Sequence, residues 1–445
     1  MRKCVLILSI LSKRNPLSLK IIKIEPRLAR VIFIAAAVLC LIAAWFIIKW
    51  NFANTIAAHL DSQRVESRQV AEWLTQVAPS DPQTNFAEAL ILEKTFDAGD
   101  LTRSLAGYEI AAALSPHNYL MWLTLGKSRS SNGDREGADK AYRRALDLAP
   151  SYASVQWAYG NSLIRNDNLK DGFAMIAKAA AADTELSKPA ASTALQTFDG
   201  DVDRARHALG DIDVVNSALA AVLAGSSKFD SAFDAWSKIT PDQKAAKYQK
   251  QGETLSGQMA DAKQFRYAVR VAADVQPSEA ERPFIGKVLN GGFENGVKLN
   301  NAGMFDWRIS EGAEPQIGLS ESQKQAGKYS LFLMFNTFES AGFRSVSQLV
   351  AVEPEGAYTL ELYYRSDVKT ASSFKWEVAD AATSQPIAVT PPLTPAAEWT
   401  PVSVKFLVPS GSDGVIIRLA RDGCSGPACP TNGKLLFDEF SLKRQ

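Results

Sequence analysis

The sequence has few of the side chains on which most enzyme chemistry depends. Of its 445 residues, only three are histidine and four are cysteine. His59, His117 and His207 are far apart in the chain, and none lies near a serine or cysteine that it could activate. P-loop, G-x-S-x-G and H-E-x-x-H motifs are absent as well. We therefore expect a protein that binds rather than catalyses and that requires no cofactor.

Net charge is also nearly absent, because 49 Lys and Arg residues oppose 48 Asp and Glu residues. The balance is uneven along the chain. Residues 1–50 hold nine basic residues and one acidic residue, Glu25, which leaves 40 basic and 47 acidic residues in 51–445. A nucleic-acid or anionic-lipid binder would carry the opposite sign on its folded part, so neither is expected.

The longest apolar run lies near the N-terminus, from Val31 to Ile48. At about 1.5 Å per residue its eighteen residues cover most of a hydrocarbon layer about 30 Å thick. We predict a basic cytoplasmic leader over 1–30 and a transmembrane anchor over 31–50, with the rest of the chain outside the cytoplasm by the positive-inside rule. A cleaved signal peptide is the alternative. The basic residues before the run are Arg2, Lys3, Lys13, Arg14, Lys20, Lys23, Arg27 and Arg30.

The four cysteines agree with export. Cys4 and Cys40 fall in the leader and the anchor, so Cys424 and Cys429 are the only pair in the exported part. In an oxidising compartment such a pair most simply forms a local disulfide. A metal site or a redox-active pair are the alternatives, although further ligands and a C-x-x-C spacing are missing.

A period of 34 residues runs through the middle of the chain. Small residues at fixed spacing let two helices approach closely, an aromatic residue fills the gap to the next pair, and a proline ends the second helix. The best-matched unit consists of Trp122, Leu125, Gly126, Ala138, Tyr142, Ala145 and Pro150. This pattern resembles tetratricopeptide repeats and implies a helical solenoid over 55–276 whose groove holds a protein partner. Lys127, Ser130, Asn161 and Arg165 are candidate groove residues.

From Pro277 onward the pattern changes to short β-strands separated by Gly, Pro, Asn and Asp. About eight antiparallel strands in 286–445 predict a two-sheet sandwich. The motifs Asn290-Gly-Gly-Phe-Glu294, Gly327-Lys-Tyr-Ser-Leu331 and Phe437-Asp-Glu-Phe-Ser-Leu442 resemble those of jelly-roll carbohydrate-binding modules of the galactose-binding-like superfamily. The expected fold class is multidomain α + β: a transmembrane helix, a tetratricopeptide-like α-helical solenoid and a C-terminal antiparallel jelly roll.

Two kinds of site follow for the sandwich. By the resemblance, Glu294 and Asp438 are candidate ligands of a structural calcium ion, which prefers oxygen donors. Sugar binding needs exposed aromatic rings, since a pyranose face packs on them. Trp399, Trp307 and Tyr363 are the candidates, and Phe338 is also eligible, whereas Trp376 alternates with core positions.

The combination of basic leader, anchor, repeat solenoid and terminal jelly roll resembles bacterial envelope proteins associated with exopolysaccharide assembly or export. It implies a single-pass inner-membrane protein facing the periplasm, with protein partners for the solenoid and a polysaccharide for the sandwich. Two alternatives stay open: a purely structural interaction protein that binds no sugar, and an accessory subunit of a polysaccharide-processing enzyme. A glycosidase pair among the 48 acidic residues is disfavoured, because no segment is left for a catalytic domain.

Overall fold

A computed structural model describes residues 26–61, 67–298, 301–339, 342–424 and 428–445. Cys4 and the basic residues of the leader up to Lys23 lie outside the described residues. The chain divides into two compact units, residues 1–182 and 183–445.

The first unit is entirely helical where it is described. Its long N-terminal helix is apolar and long enough to cross a membrane by length and composition. Four of the helices that follow begin where an Asp or Asn side chain accepts a backbone N–H, at Asp81, Asp97, Asn118 and Asp134. The helices are α1 (Pro26–Ala58), α2 (Ser67–Val77), α3 (Pro82–Glu93), α4 (Ala98–Leu114), α5 (Tyr119–Ser131), α6 (Arg135–Leu148), α7 (Ala153–Arg165) and α8 (Leu169–Ala182).

Helices α3 to α8 pack as antiparallel pairs in the manner of tetratricopeptide repeats. In the pair α5/α6, a Cβ on Gly126 would lie only 2.9 Å from the ring of Tyr142, so glycine is what allows this approach. Tyr142, Ala138 and Ala145 are fully buried. The pair α7/α8 also depends on a glycine for close approach, since a Cβ on Gly160 would lie 2.8 Å from the carbonyl oxygen of Gly172.

The second unit begins with further helices. They are α9 (Ser187–Thr197), α10 (Val202–Leu209), α11 (Asp213–Gly225), α12 (Phe229–Ser237), α13 (Pro241–Ala246), α14 (Gln249–Asp261) and α15 (Phe265–Val275). Trp236 of α12 is buried, and its indole N–H donates to Asp274 at 2.9 Å. It is therefore a core residue.

An antiparallel sandwich of two sheets follows, which confirms the predicted fold class. One sheet has the strand order β1-β4-β10-β7-β8, and the other β2-β3-β11-β5-β9, with β6 paired to β11. The strands are β1 (Arg308–Ile309), β2 (Gln316–Ser320), β3 (Ser330–Glu339), β4 (Val346–Ala351), β5 (Ala357–Ser366), β6 (Lys369–Thr370), β7 (Phe374–Asp380), β8 (Pro386–Val389), β9 (Ala396–Leu407), β10 (Gly414–Arg421) and β11 (Ala428–Arg444).

Alternation along the strands places the core between the two sheets. Tyr358, Leu360, Leu362 and Tyr364 of β5 all point inward and are buried. Trp376 lies at the centre and is fully buried, as predicted. The odd-numbered residues of β5 consequently point away from the core.

The last helix of the second unit is joined to the sandwich. The carboxylate of Asp413, which precedes β10, accepts the backbone N–H groups of Phe265 and Arg266 at 3.0 and 2.9 Å and so caps α15. Arg266 also pairs with Glu353. A Cβ on Gly414 would lie 2.4 Å from the Phe265 ring. The five-stranded sheet is therefore in contact with α15 at the end where β4 and β10 pair.

Candidate functional site

The outer face of the six-stranded sheet, defined as the side directed away from the sandwich core, carries two of the three predicted sugar-binding aromatics. Tyr363 of β5 pairs with Pro401 of β9, and Trp399 is two residues from Pro401 on the same strand. Diagonal neighbours of this kind lie about 7–8 Å apart. Both rings are half-buried. The strand bulges between Thr400 and Ala396, so Trp399 stands where the bulge begins.

Polar and apolar side chains surround these rings on the same face. Arg365 and Glu361 flank Tyr363 along β5, two residues away on either side, and Glu361 forms an ion pair with Lys443. Next to Arg365 on β11 is Leu436, which is only 4% exposed although its position points outward. The face thus combines aromatic surface with a guanidinium and a carboxylate.

The prediction that Trp307 forms part of an exposed sugar site is wrong. Trp307 is 2% exposed, and its ring lies 4.9 Å from that of Phe440 and 6.0 Å from that of Trp376. Its indole N–H donates to the carbonyl of Asn290 at 3.1 Å. The residue precedes the two-residue strand β1, which is too short for alternation to indicate the direction of its neighbours. Phe338, in contrast, is 75% exposed near the end of β3.

The three motifs of the sandwich meet at one place. Glu294 accepts the backbone N–H of Lys328 at 2.8 Å and that of Tyr329 at 3.2 Å. Asp438 is fully buried and accepts N–H groups from Gln325, Ala326 and Glu439 at 2.8, 3.2 and 2.8 Å. The turn at 325–329 therefore holds both predicted calcium ligands through its backbone.

Glycines make this convergence sterically feasible. A Cβ on Gly291 would lie 2.1 Å from the carbonyl oxygen of Phe440, and one on Gly292 would lie 3.1 Å from a carboxylate oxygen of Glu439. Gly327 has a positive φ of 59° and abuts the Glu294 carboxylate. Glycine at these positions lets the first and last segments of the domain lie side by side.

The carboxylates at this place, Glu294, Asp438 and Glu439, are close enough to repel one another. Burial raises the pKa of Asp438, and the charge of Glu294 adds to the rise; burial and the charge of Asp438 raise the pKa of Glu439. Within the described ranges no group of three acidic, His or Cys side chains is arranged as a metal cage. The side-chain donors here are all oxygen atoms, which Ca²⁺ prefers, and those of Glu294 and Asp438 also accept backbone N–H groups.

Cys424 and Cys429 form a disulfide, with their Cα atoms 5.6 Å apart. Cys429 is fully buried, and the guanidinium of Arg421 donates to its carbonyl oxygen at 3.1 Å and to Thr431 at 2.8 Å. The bridge therefore closes the loop between β10 and β11. Residues 425–427 of that loop lie outside the described residues.

Two of the four candidate groove residues of the first unit form a hydrogen bond with each other. Arg165 of α7 donates to the Ser130 hydroxyl of α5 at 3.2 Å, and Lys127 is exposed. Asn161 donates to the carbonyl of Trp157 in its own helix at 2.9 Å. Trp122 and Trp157 are half-buried. First helices of successive pairs thus contribute to one polar surface.

Comparisons with known proteins give partial similarities. No protein-family model matches the chain. A segment of 99 residues, 22% of the chain, is 26% identical to the peroxisomal targeting signal receptor of Saccharomyces cerevisiae. The match spans only 16% of the length of that relative.

Several solved structures are similar to part of the chain. One is the MamA 41-end chain from Desulfovibrio magneticus RS-1, with 12% identity over 43% of this chain and 92% of that chain, and a TM-score of 0.28. Two others are carbohydrate-binding modules. TmCBM61 in complex with beta-1,4-galactotriose has 16% identity over 35% of this chain and 96% of that chain, with a TM-score of 0.26. The CBM22-1 xylan-binding domain from Paenibacillus barcinonensis Xyn10C has 13% identity, coverages of 34% and 90%, and a TM-score of 0.24.

Proposed function

We propose that this protein is a membrane-anchored scaffold that binds rather than catalyses. Its helical repeats dock protein partners, and its sandwich binds a glycan on the outer face of the six-stranded sheet. The observation that carries the glycan proposal is the placement of Trp399 and Tyr363 on adjacent strands of this face, beside Arg365 and Glu361. Trp307 has no part in it.

The six-stranded sheet is favoured over the other sheet because α15 already contacts the five-stranded one. Phe265 packs against Gly414 there, and Asp413 caps the helix. A polysaccharide laid across that sheet would compete with the chain's own helix.

Recognition would combine stacking with hydrogen bonding. A pyranose ring presents a C–H face that packs on an indole or phenol ring. Its hydroxyl groups can accept from the Arg365 guanidinium and donate to the Glu361 carboxylate, both of which remain partly exposed. Because the two rings lie diagonally across neighbouring strands, a chain of sugars would cross the strands rather than follow one of them.

A glycan-array screen of the full chain in detergent tests this proposal. The full chain is needed because removing the helices would expose the surface around Gly414. Trp399→Ala and Tyr363→Ala should each abolish or strongly weaken binding. Phe284→Ala is the matched control, since Phe284 is an exposed aromatic (49%) outside this face. Absence of any binding by the folded wild-type chain would favour the purely structural alternative.

The placement in the cell is part of the same proposal. The excess of basic residues before α1 favours a cytoplasmic N-terminus, and the disulfide favours an oxidising compartment. We place the anchor in a bacterial inner membrane with the remaining chain in the periplasm, serving surface-polysaccharide or exopolysaccharide assembly or export. An accessory role beside a polysaccharide-processing enzyme differs only in the partner, which cross-linking in intact cells would identify.

We also propose that Glu294 and Asp438 hold a structural Ca²⁺ ion, with backbone carbonyl oxygens as its further ligands. Burial, and to a smaller extent the charge of Glu294, raise the pKa of the Asp438 carboxyl, and a bound cation would favour its charged form. Adding Ca²⁺ should raise the melting temperature of the wild-type chain but not that of the Glu294→Gln, Asp438→Asn double variant. An equal melting temperature of the wild type with Ca²⁺ and with a chelator would rule the ion out.

A further inference from the structure

The anchor helix does not end where its apolar run ends. The helix α1 continues from Ile48 without a break to Ala58. Within this extension Ala53 and Ala57 are buried against Leu74 of α2 and Ala87 of α3. Asn54 donates from its side-chain amide to the carboxylate of Asp81 at 2.9 Å. The extension of the anchor helix is therefore packed against the first helices of the repeat region.

Helix α2 is fixed on this body by charged side chains. Arg68 makes two hydrogen bonds to the carboxylate of Asp100 on α4, at 2.8 and 2.9 Å. Arg103 of α4 reaches back to Glu72 of α2 at 3.3 Å. A bidentate pair of this kind restricts the geometry of both partners. The position of α2 relative to the anchor is consequently set by contacts on both sides.

These contacts do not explain why one apolar side chain of α2 is exposed. Trp73 is 48% exposed, although the other large apolar residue of the same helix, Leu74, is fully buried. Its ring lies edge-on to that of Phe52, with ring centres 6.4 Å apart. Phe52 is itself 53% exposed. Trp73 and Phe52 together form an aromatic patch at the junction of the anchor helix and the repeat region.

The distance between this patch and the end of the apolar run determines which layer of the bilayer the patch contacts. Phe52 is four residues beyond Ile48, so it lies about 6 Å past the end of the run. The headgroup region on each side of a bilayer is about 5–8 Å thick. Tryptophan is enriched at this depth, because its ring is apolar and its N–H can reach a polar partner. If α1 spans the membrane, Trp73 reaches the headgroup region through its contact with Phe52.

We propose that Trp73, with Phe52, docks the first helices of the repeat region onto the lipid headgroup layer. This inference rests on the proposed membrane anchor and adds a second contact with the bilayer. It commits to lipid rather than to a protein partner because the patch is continuous with the anchor. The first unit is then held at a fixed angle on the membrane surface, and its partners meet it close to the bilayer.

The test uses nitroxide labels on the full chain in bilayer nanodiscs whose lipids carry nickel-chelating headgroups. Cys4→Ser and Cys40→Ser remove the thiols outside the disulfide. Trp73→Cys then carries the label at the patch, and Gln76→Cys carries it one turn further along α2 while leaving the tryptophan in place. Tyr152→Cys is the matched control, since Tyr152 is an aromatic residue of similar exposure (52%) two helix pairs further along the unit.

Headgroup nickel should relax the label at Trp73 several-fold more strongly than the label at Tyr152, with the label at Gln76 also above that control. Equal relaxation at Trp73 and Tyr152 would overturn the inference. Shielding of the label at Trp73 from both lipid-bound and soluble nickel would also overturn it, since a protein or a second copy of the chain would then cover the patch.

A label at Leu39→Cys, in the middle of the apolar run, separates the inference from the anchor itself. Leu39 is 70% exposed, so the label replaces no packed residue. Access by oxygen and exclusion of soluble nickel at this position establish the anchor. If soluble nickel reaches the label at position 39, both the anchor and the docking of Trp73 are refuted. If soluble nickel does not reach it, the anchor stands, and the relaxation at Trp73 tests the docking alone.

Discussion

Replacing Asp413 by alanine should uncouple the sandwich from the last helix of the repeat region. The substitution removes the acceptor for two N–H groups at the start of α15, those of Phe265 and Arg266. Loss of an N-cap acceptor costs about 1 kcal/mol, and a second N–H left without its charged partner raises the total to about 2 kcal/mol. The substitution also removes the 3.7 Å ion pair between Arg266 Nε and Asp413, but Arg266 keeps its ion pair with Glu353, so this loss adds little to the cost.

The consequence is measurable by hydrogen exchange on the full chain. A loss of about 2 kcal/mol corresponds to about 30-fold faster exchange at the start of α15. Asp201→Ala is the matched control, since Asp201 caps α10 by accepting the N–H of Arg204 at 3.0 Å within the helical region. It should speed exchange in α10 and leave the start of α15 unchanged. Unchanged exchange at Phe265 in the Asp413→Ala variant would refute the reasoning.

Three further predictions follow from the packing and charge of single residues. Gly126→Ala should lower the free energy of unfolding by about 1–3 kcal/mol because the new methyl group meets the facing tyrosine ring, whereas Gly257→Ala, with nothing within 4 Å, should be neutral or stabilising in the same denaturant titration. Gly414→Ala should lower the melting temperature but Gly411→Ala should not, since only the former meets α15. Burial raises the pKa of Asp438 above 3.8, so the native state keeps this proton to higher pH than the unfolded chain does. Without Ca²⁺, the free energy of unfolding should therefore fall as the pH rises above about 4. Asp438→Asn should weaken this pH dependence of the melting temperature.

Much of the fold could be predicted because its signals are periodic. The helix pair around Gly126 follows a spacing that only close helix packing explains, and the alternation in Ala357–Ser366 places one set of side chains in the core. The apolar run of α1 needs only its length. In these cases the sequence pattern and the contacts that produce it lie within one helix, one strand or one helix pair.

The sequence could not indicate the short elements. The strands Arg308–Ile309 and Pro386–Val389 are too brief for alternation to stand out from loop composition. The 34-residue period is not kept through the pair α9/α10, because its helices have only 11 and 8 residues.

The site was predictable only in part, because a side chain's direction depends on long-range pairing. Trp399 and Tyr363 belong to strands long enough for their faces to be assigned. Trp307 lacks such a strand, and its burial depends on Phe440 and Trp376, which are distant in sequence. Arg365 and Leu436 were missed, because their place beside Tyr363 and Trp399 follows from the register between β5, β9 and β11.

The central claim is that a glycan binds the outer face of the six-stranded sheet. Its most direct test is electrophoretic retardation of the full chain in gels containing polysaccharides, comparing the wild type with Trp399→Ala and Phe284→Ala. We predict that at least one polysaccharide retards the wild type and Phe284→Ala equally, and that Trp399→Ala migrates as if no polysaccharide were present. Equal retardation of all three proteins, or retardation of none by any polysaccharide, would contradict the account.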